Sequence, residues 1–356
     1  HNSLVSFFDN ASVIQGNTIS KLNLNNNKYT NEITDLHFSY KAETHNFPTS
    51  ICPFPGASTG VGGRIRDTLC VGRGGEILAG TAGYSVGEID IFNKKDYSFV
   101  LNKPSRILIE ASNGASDYGN KIGEPLIQGF TRSYRGDFKT KNNTKINKRI
   151  EYLKPIMFSG GIGKIREENL TKNISEYGNL IGRVGGAAYR IGMGGGSASS
   201  RKQDINNLDS DYNAVQRGDP EMANKVVKFI RTCINLPENP ILSIHDQGSG
   251  GMANVSRELA EPNGANIYLD NLDLGDKSLS CLEKWVAEYQ EQVSFLFKKE
   301  NTKLLEKIAK RENVRFTIIG NISDNNSIKV ITKDEDILPV NMPIKEDNRK
   351  KHFYLE

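Results

Sequence analysis

Cysteine, tryptophan, charge of one sign and long apolar runs are all scarce in this chain. Of its 356 residues, four are cysteine and one is tryptophan. Cys52, Cys70, Cys233 and Cys281 lie far apart without a CxxC pair, which argues against a disulfide framework or a zinc site and for reduced thiols in the core. No apolar run reaches the length of a bilayer span, and the first residues lack the basic-then-apolar order of a signal peptide. A cytoplasmic protein is expected. Basic side chains number 46 against 42 acidic, a net charge of +4, and they are scattered apart from the Lys/Asn-rich stretch from Lys139 to Arg149. So weak a field gives no ground for nucleic-acid binding. The common nucleotide signatures are missing too. Nothing matches GxxxxGK(S/T), "GVGGRI" and "GMGGGSAS" both miss the GxGxxG spacing of a dinucleotide fold, and no internal repeat is visible.

What is present describes a soluble globular protein, with 37% hydrophobic and 25% charged residues and a length that predicts two domains. The first residue is His1 rather than Met, so the chain reads as a processed product or a piece of something longer. Glycine is the compositional outlier. Its 34 residues gather at Gly56 to Gly87, Gly160 to Gly163, Gly182 to Gly196 and Gly248 to Gly251, between strand-like runs. Such clusters serve as ordinary turns, or as places where backbone takes positive φ or approaches a ligand closely. Their repeated position beside charged residues favours the second use.

The first half reads as short strands and glycine loops, with a helix over Ser105 to Ala115. After about Tyr177 the alternation lengthens. Asp219-Pro220 is an N-cap followed by proline at the first helical position, opening a helix to Leu236 with Met222, Val226, Phe229, Ile230 and Cys233 on one face. "PILSIHD" (Pro240 to Asp246) reads as a buried strand and "GSGGMANVSRELAE" as a glycine turn into a helix. "LSCLEKWVAEYQ" suggests a helix leading to the strand "EQVSFLF", and "TKLLEKIAKREN" an amphipathic helix before the strand "VRFTIIG". The whole predicts an α+β protein with domains over 1–172 and 173–330 and a polar tail or linker over 331–356. "KTKNNTKINKR" is expected to be a solvated surface loop.

The densest chemistry lies in "KAETHNFPTSICPFPGASTGVGGRIRD", Lys41 to Asp67. Its glycines can present backbone N–H groups to phosphate oxygens, with Thr59 and Arg64 or Arg66 as side-chain donors. A triphosphate needs magnesium, which takes a few carboxylate oxygens and keeps water and phosphate in its other positions. Glu43, Asp67 and Asp246 each sit beside a glycine turn or short polar loop where a carboxylate can face a ligand. Surface acids are the ordinary alternative, except for Asp246, which follows an apolar strand and precedes "QGSGG". His45, between Glu43 and Asn46, suits a catalytic or substrate-binding role better than a purely structural one. For Phe47, Phe54 and Trp285 core packing is the default.

Together with "GRVGGAAYRIGMGGGSASS", "NAVQRGDPEMANKVVKFI" and "ILSIHDQGSGGMANVSREL", that stretch resembles the phosphoribosylformylglycinamidine synthase family, in order and over nearly the whole chain. The likeness is to the first half of the synthetase core of the large single-chain form, or else of the small multi-subunit form. It implies an aminoimidazole ribonucleotide synthetase-like fold, in which an N-terminal domain pairs its sheet into a barrel with an equivalent domain and a C-terminal α/β domain follows. The implied reaction is the ATP-dependent conversion of formylglycinamide ribonucleotide to the amidine, through an iminophosphate attacked by ammonia from glutamine. The implied partners are a second synthetase half or homodimer partner and a glutaminase domain or subunit.

By the same resemblance, Lys41 falls where the family contacts ATP phosphate, and Gly56, Ala57, Ser58, Thr59, Gly60, Val61, Gly62, Gly63, Arg64, Ile65, Arg66 and Asp67 form its ATP loop. Glu43, Asp67 and Asp246 fall at magnesium positions. Thr44, His45, Asn46, Phe47, Arg66, Gln216, Glu288, Tyr289 and Gln290 fall at substrate positions, with His45 as catalytic proton acceptor or transition-state stabiliser. Three features depart from the pattern. Phe47 replaces a second histidine, "EYQEQ" stands for Glu-Ser-Gln-Glu-Arg, and the family's upstream histidine motif would precede His1. The chain alone is therefore expected to be incomplete as a catalyst. Alternatives are a sister enzyme such as aminoimidazole ribonucleotide synthetase or a thiamine-phosphate or selenophosphate kinase, or a non-catalytic nucleotide-binding scaffold.

Overall fold

The computed structural model describes residues 2–25, 28–89, 102–139, 145–289, 291–333 and 341–343. In its first part, β1 (Ser3–Val5), β2 (Ser12–Asn25) and β3 (Lys28–Thr44) lead into α1 (Asn46–Ile51) and α2 (Pro53–Leu69). Then come β4 (Glu76–Val86), α3 (Pro104–Ile122), β5 (Leu126–Ser133), the hairpin β6 (Arg135–Lys139) and β7 (Lys145–Glu151), and β8 (Ile156–Arg166). Six of these strands make one sheet in the order β1-β2-β3-β8-β4-β5. Its alternation is plain in β3, where His37 and Ser39 are buried while Phe38 and Tyr40 are exposed, as a strand with one covered face requires. Helices α2 and α3 cover that face. The other face is open, and among the described residues the sheet does not close into a barrel.

The second part carries β9 (Leu180–Gly185), α4 (Gly195–Ser200), α5 (Leu208–Ala214), α6 (Pro220–Ile234), β10 (Ser243–Asp246), α7 (Gly251–Ala260) and β11 (Gly264–Tyr268). It ends with α8 (Cys281–Val286), β12 (Gln292–Phe297), α9 (Thr302–Arg311), β13 (Phe316–Ser323), β14 (Ser327–Ile331) and β15 (Asn341–Pro343). The sheet order is β10-β12-β9-β13-β11-β14-β15, with β11 and β14 parallel. Helices pack on both of its faces. Met252, Leu259 and Trp285 from α7 and α8 meet Ile181, Leu296 and Ile319 on one side. On the other side α6 lies between this sheet and α2, so Val61, Ile65, Phe229, Ile230, Val293 and Phe295 share one continuous core. Asp219 caps α6 by accepting from the Met222 N–H at 3.0 Å, as its sequence predicts.

Several sequence expectations need correction. The glycine-rich stretch Gly56 to Asp67 is no loop but the body of α2. Its glycines serve close packing: a Cβ would stand 2.4 Å from the Pro48 backbone at Gly56, 2.8 Å from the His45 Cβ at Gly60 and 2.7 Å from the Tyr118 ring at Gly62. The helix expected over Ser105 to Ala115 runs on to Ile122, and the one expected through Gln290 stops at Val286. The Lys/Asn-rich stretch supplies the last residue of β6 and most of its partner β7, its tip lying outside the described residues. Parts of the expected tail join the second sheet, as the end of β14 and as β15, and residues 334–340 and 344–356 lie outside the described residues. The four cysteines are unpaired. Among the described residues no helix is long and apolar enough to cross a membrane.

Candidate functional site

A cleft of about 370 Å³ opens where the two sheets' strand ends meet α2, lined among others by Lys41, Glu43, His45, Arg66, Asp67 and Asp246. Each wall has a local cause. Lys41 and Glu43 are alternate residues of β3 on the side that faces α2. Arg66 and Asp67 come from the last turn of α2, and Asp246 ends β10, paired with Val293 of β12. Lys41 Nζ lies 2.8 Å from Asp67 Oδ2 and 4.0 Å from Glu43 Oε2. The Asn10 side-chain amide donates to Asp246 Oδ1 at 2.7 Å and to Asp67 Oδ1 at 3.1 Å.

The carboxylates crowd one another. Burial, then Asp246 and Glu43, push the Asp67 carboxyl well above the usual carboxylate range, and burial raises Glu43 against the pull of Lys41. Burial alone would lower Lys41, but Asp67, Glu43 and Asp246 outweigh it and raise the ammonium. A divalent cation or a tightly held water network is the natural relief for such a group of acids. Among the described residues no three acidic, histidine or cysteine side chains draw close enough to enclose an ion by themselves. Magnesium does not require that, since one or two carboxylates plus phosphate and water suffice.

Arg66 is the second feature that looks unfinished. Its guanidinium is buried, stands 3.8 Å from Asp246 and 3.9 Å from Glu291, and leaves Nε and Nη1 without a hydrogen-bond partner. Unpaired buried donors of this kind are costly and suit an anionic ligand. His45 Nδ1 lies 2.5 Å from the Gly56 carbonyl. A carbonyl only accepts, so Nδ1 carries the hydrogen and Nε2 keeps its lone pair. Burial lowers the imidazole, which keeps it neutral at physiological pH.

Other expected residues fall into three groups. Thr44, Thr59, Gly63, Gln216 and Glu288 also line the cleft, with Glu288 Oε1 accepting from the Gly250 N–H at 3.2 Å. Gly56, Ala57, Ser58, Gly60, Val61, Gly62, Arg64 and Ile65 do not. They belong to the packed body of α2, whose N–H groups are committed to the helix, and Arg64 is wholly buried against Glu124. Phe47 packs behind the wall with Ile51 and Val215, and Asn46 Oδ1 accepts from the Met157 N–H at 3.0 Å. Tyr289 is buried under the Arg183 guanidinium, 5.7 Å from its ring centre. Gln290 lies outside the described residues. Sequence reasoning missed Asn10, His245, Asn254 and Glu291. Only His245, in "SIHD" beside Asp246, carried a local signal; its Nε2 lies 2.5 Å from Glu258.

Glu291 supplies a test of the site's electrostatics. It is buried, holds positive φ and accepts from the Tyr118 hydroxyl at 2.8 Å. Burial drives its carboxyl up to about 7, against the opposing pull of Arg66. A folded-state value raised above the ordinary 4.5 means that the native chain binds the proton more tightly than the unfolded one. Stability therefore falls as pH rises from about 4.5 to about 7 and levels off beyond, by about 3 kcal/mol for this group. In urea melts across that range, Glu291→Gln should remove most of this dependence. An unchanged slope would refute the assignment.

Residues 176–333 match the family model described as AIR synthase related protein, C-terminal domain. The chain is 46% identical over 360 residues to a phosphoribosylformylglycinamidine synthase of Dictyostelium discoideum, covering 96% of this chain and 26% of that protein. To the protein of that name from Homo sapiens it is 44% identical over 348 residues, covering 94% and 26%. Thermotoga maritima PurL shares the fold. Its complex with FGAR aligns with a TM-score of 0.67 at 21% identity over 90% of this chain and 48% of that one, and its complex with ATP with 0.65 at 21% identity over 93% and 47%. The chain spans about a quarter of the length of the curated relatives it matches. Over that quarter it is similar to the phosphoribosylformylglycinamidine synthases, and its fold is aminoimidazole ribonucleotide synthetase-like α+β.

Proposed function

We propose that this chain is the first half of the synthetase core of a phosphoribosylformylglycinamidine synthase, a purine-biosynthetic ligase that uses ATP and magnesium to turn formylglycinamide ribonucleotide into its amidine. The observation that carries the reading is one cleft holding Lys41, Glu43, Asp67 and Asp246 beside a buried Arg66 with unpaired donors. Lys41 would neutralise ATP phosphate. Asp67 and Asp246, with Glu43, would hold magnesium, which when bound shields the charge of the transferring phosphoryl group. Arg66 would take the sugar phosphate, with Thr44, Gln216 and Glu288 orienting the rest of the substrate. His45, neutral with a free Nε2, can accept or stabilise a proton at the amide being activated. Phosphorylation of the amide oxygen makes it a leaving group that ammonia can displace.

The reading requires more than this chain. Ile14, Phe38, Tyr40 and Phe130 are exposed on the first sheet, as suits an open face that an equivalent domain, from a second synthetase half or a homodimer partner, would cover to complete a barrel. Ammonia would come from a glutaminase domain or subunit. A cytoplasmic setting is our reading from composition. The test is titration of formylglycinamide ribonucleotide into the complete enzyme. Arg66→Ala should weaken binding roughly tenfold or more, the scale of charge-assisted hydrogen bonds. Undiminished affinity would remove the sugar-phosphate role.

A further inference from the structure

Asn10 lies between β1 and β2, far in sequence from the residues that line the cleft and not itself among them, yet its amide touches both aspartates that the proposed function assigns to magnesium. Those aspartates come from different sheets' territories: Asp67 from the end of α2, Asp246 from the end of β10. Each gives its Oδ1 to the same nitrogen, at 3.1 and 2.7 Å. Asn10 is itself anchored. Its backbone N–H donates to Asp9 Oδ1 at 2.7 Å, Asp9 Oδ2 accepts from the Gly72 N–H at 2.9 Å, and Lys172 Nζ lies 2.7 Å from Asp9 Oδ1. Gly72 is required there, since its φ is +59° and a Cβ would stand 2.1 Å from the Asn169 carbonyl oxygen.

We propose that Asn10 is a positioning residue for the metal site, a neutral clamp that fixes Asp67 and Asp246 at one spacing before an ion arrives. The inference rests on the magnesium reading given above. Two desolvated carboxylates repel and would otherwise swing apart. An amide offers each of them a hydrogen bond without adding a cation that would compete with the metal. A second lysine in that place would satisfy the acids and exclude the ion. Partners of this kind orient ligands, and their loss typically costs about 10–100-fold in metal affinity.

The test uses the full chain and Mn²⁺ as probe, with free ion counted by electron paramagnetic resonance. Asn10→Ala should weaken Mn²⁺ binding tenfold or more, and Asn10→Ser, whose shorter hydroxyl reaches one acid at most, should fall between. Melting temperatures of the ion-free chain give a second readout. Asn10→Ala should lower the melting point in the parent background and much less in Asp67→Asn, where the repulsion is already gone, whereas an asparagine that only packs would lose equally in both. Unchanged Mn²⁺ affinity in a folded Asn10→Ala, or additive melting shifts, would overturn the clamp. Asp246→Asn separates the two claims: if it abolishes Mn²⁺ binding while Asn10→Ala does not, only the clamp fails. If neither matters, or the parent binds no Mn²⁺, the metal reading fails with it.

Discussion

Glu124→Ala should destabilise the chain by about 3–5 kcal/mol, the scale for stripping one partner from a buried ion pair. Arg64 and Glu124 have no exposed side-chain surface. The guanidinium forks onto both carboxylate oxygens, Nη2 to Oε2 at 2.5 Å, and Nε reaches Ser159 Oγ at 3.4 Å. Two strands make room for the pair with glycine. A Cβ at Gly80 would stand 2.7 Å from Arg64 Nη2, and one at Gly161 2.6 Å from Nη1. With Glu124 gone, a cation is left between α2 and the sheet with nowhere to find water. Urea denaturation should show the midpoint falling with little change in slope. Replacing both members, Arg64→Met with Glu124→Leu, should recover a large part of the loss. A drop below about 1 kcal/mol in the single variant would mean that the pair is hydrated.

If the proposed function holds, Asp246→Asn in the complete enzyme should lower kcat/KM by roughly a thousandfold, several kcal/mol of charge stabilisation at the transferring phosphoryl group. The fold should not suffer. The substitution keeps the shape of the side chain, its oxygen can still accept from Asn10, and removal of the charge takes away one of the causes that raise Asp67. The ion-free variant should melt no lower than the parent while its magnesium requirement rises. Activity within tenfold of the parent would exclude Asp246 from the reaction.

The parts of the fold that announce themselves in sequence are those with a local cause. Asp219-Pro220 and a 3.6-residue apolar period give α6, and Ser280 with Glu283 closes a capping box at α8. Strand β12 is buried on both faces because helices cover both. Helix α2 could not be read in this way, since its glycines argue locally for a loop and only the neighbours they admit, Pro48, His45 and Tyr118, explain them. The fate of the two arginines follows from that helix. Residues two apart on an α-helix are turned by about 200°, so Arg66 faces the cleft and Arg64 the sheet. A loop reading gives no means of telling them apart. Asn10 lay beyond sequence reasoning altogether, since nothing in "FFDNAS" marks an asparagine whose partners are 57 and 236 residues away.

The position of α6 constrains how such a cleft can work. Its Val226, Phe229 and Ile230 belong to the same core as α2 and the second sheet, and Phe229 stacks on Phe316 with ring centres 6.4 Å apart. Rotating one half of the chain against the other would part Val226 and Ile230 from Val61 and Ile65 of α2 and open that shared core to water. Jaw-like closure about a hinge, a common means of shielding phosphoryl transfer from hydrolysis, is therefore denied to this architecture. Small backbone excursions at the rim are left, and the strip from Gly192 to Gly196, glycine at every position but Met193 and with Gly192 and Gly194 already at positive φ, makes them cheaply.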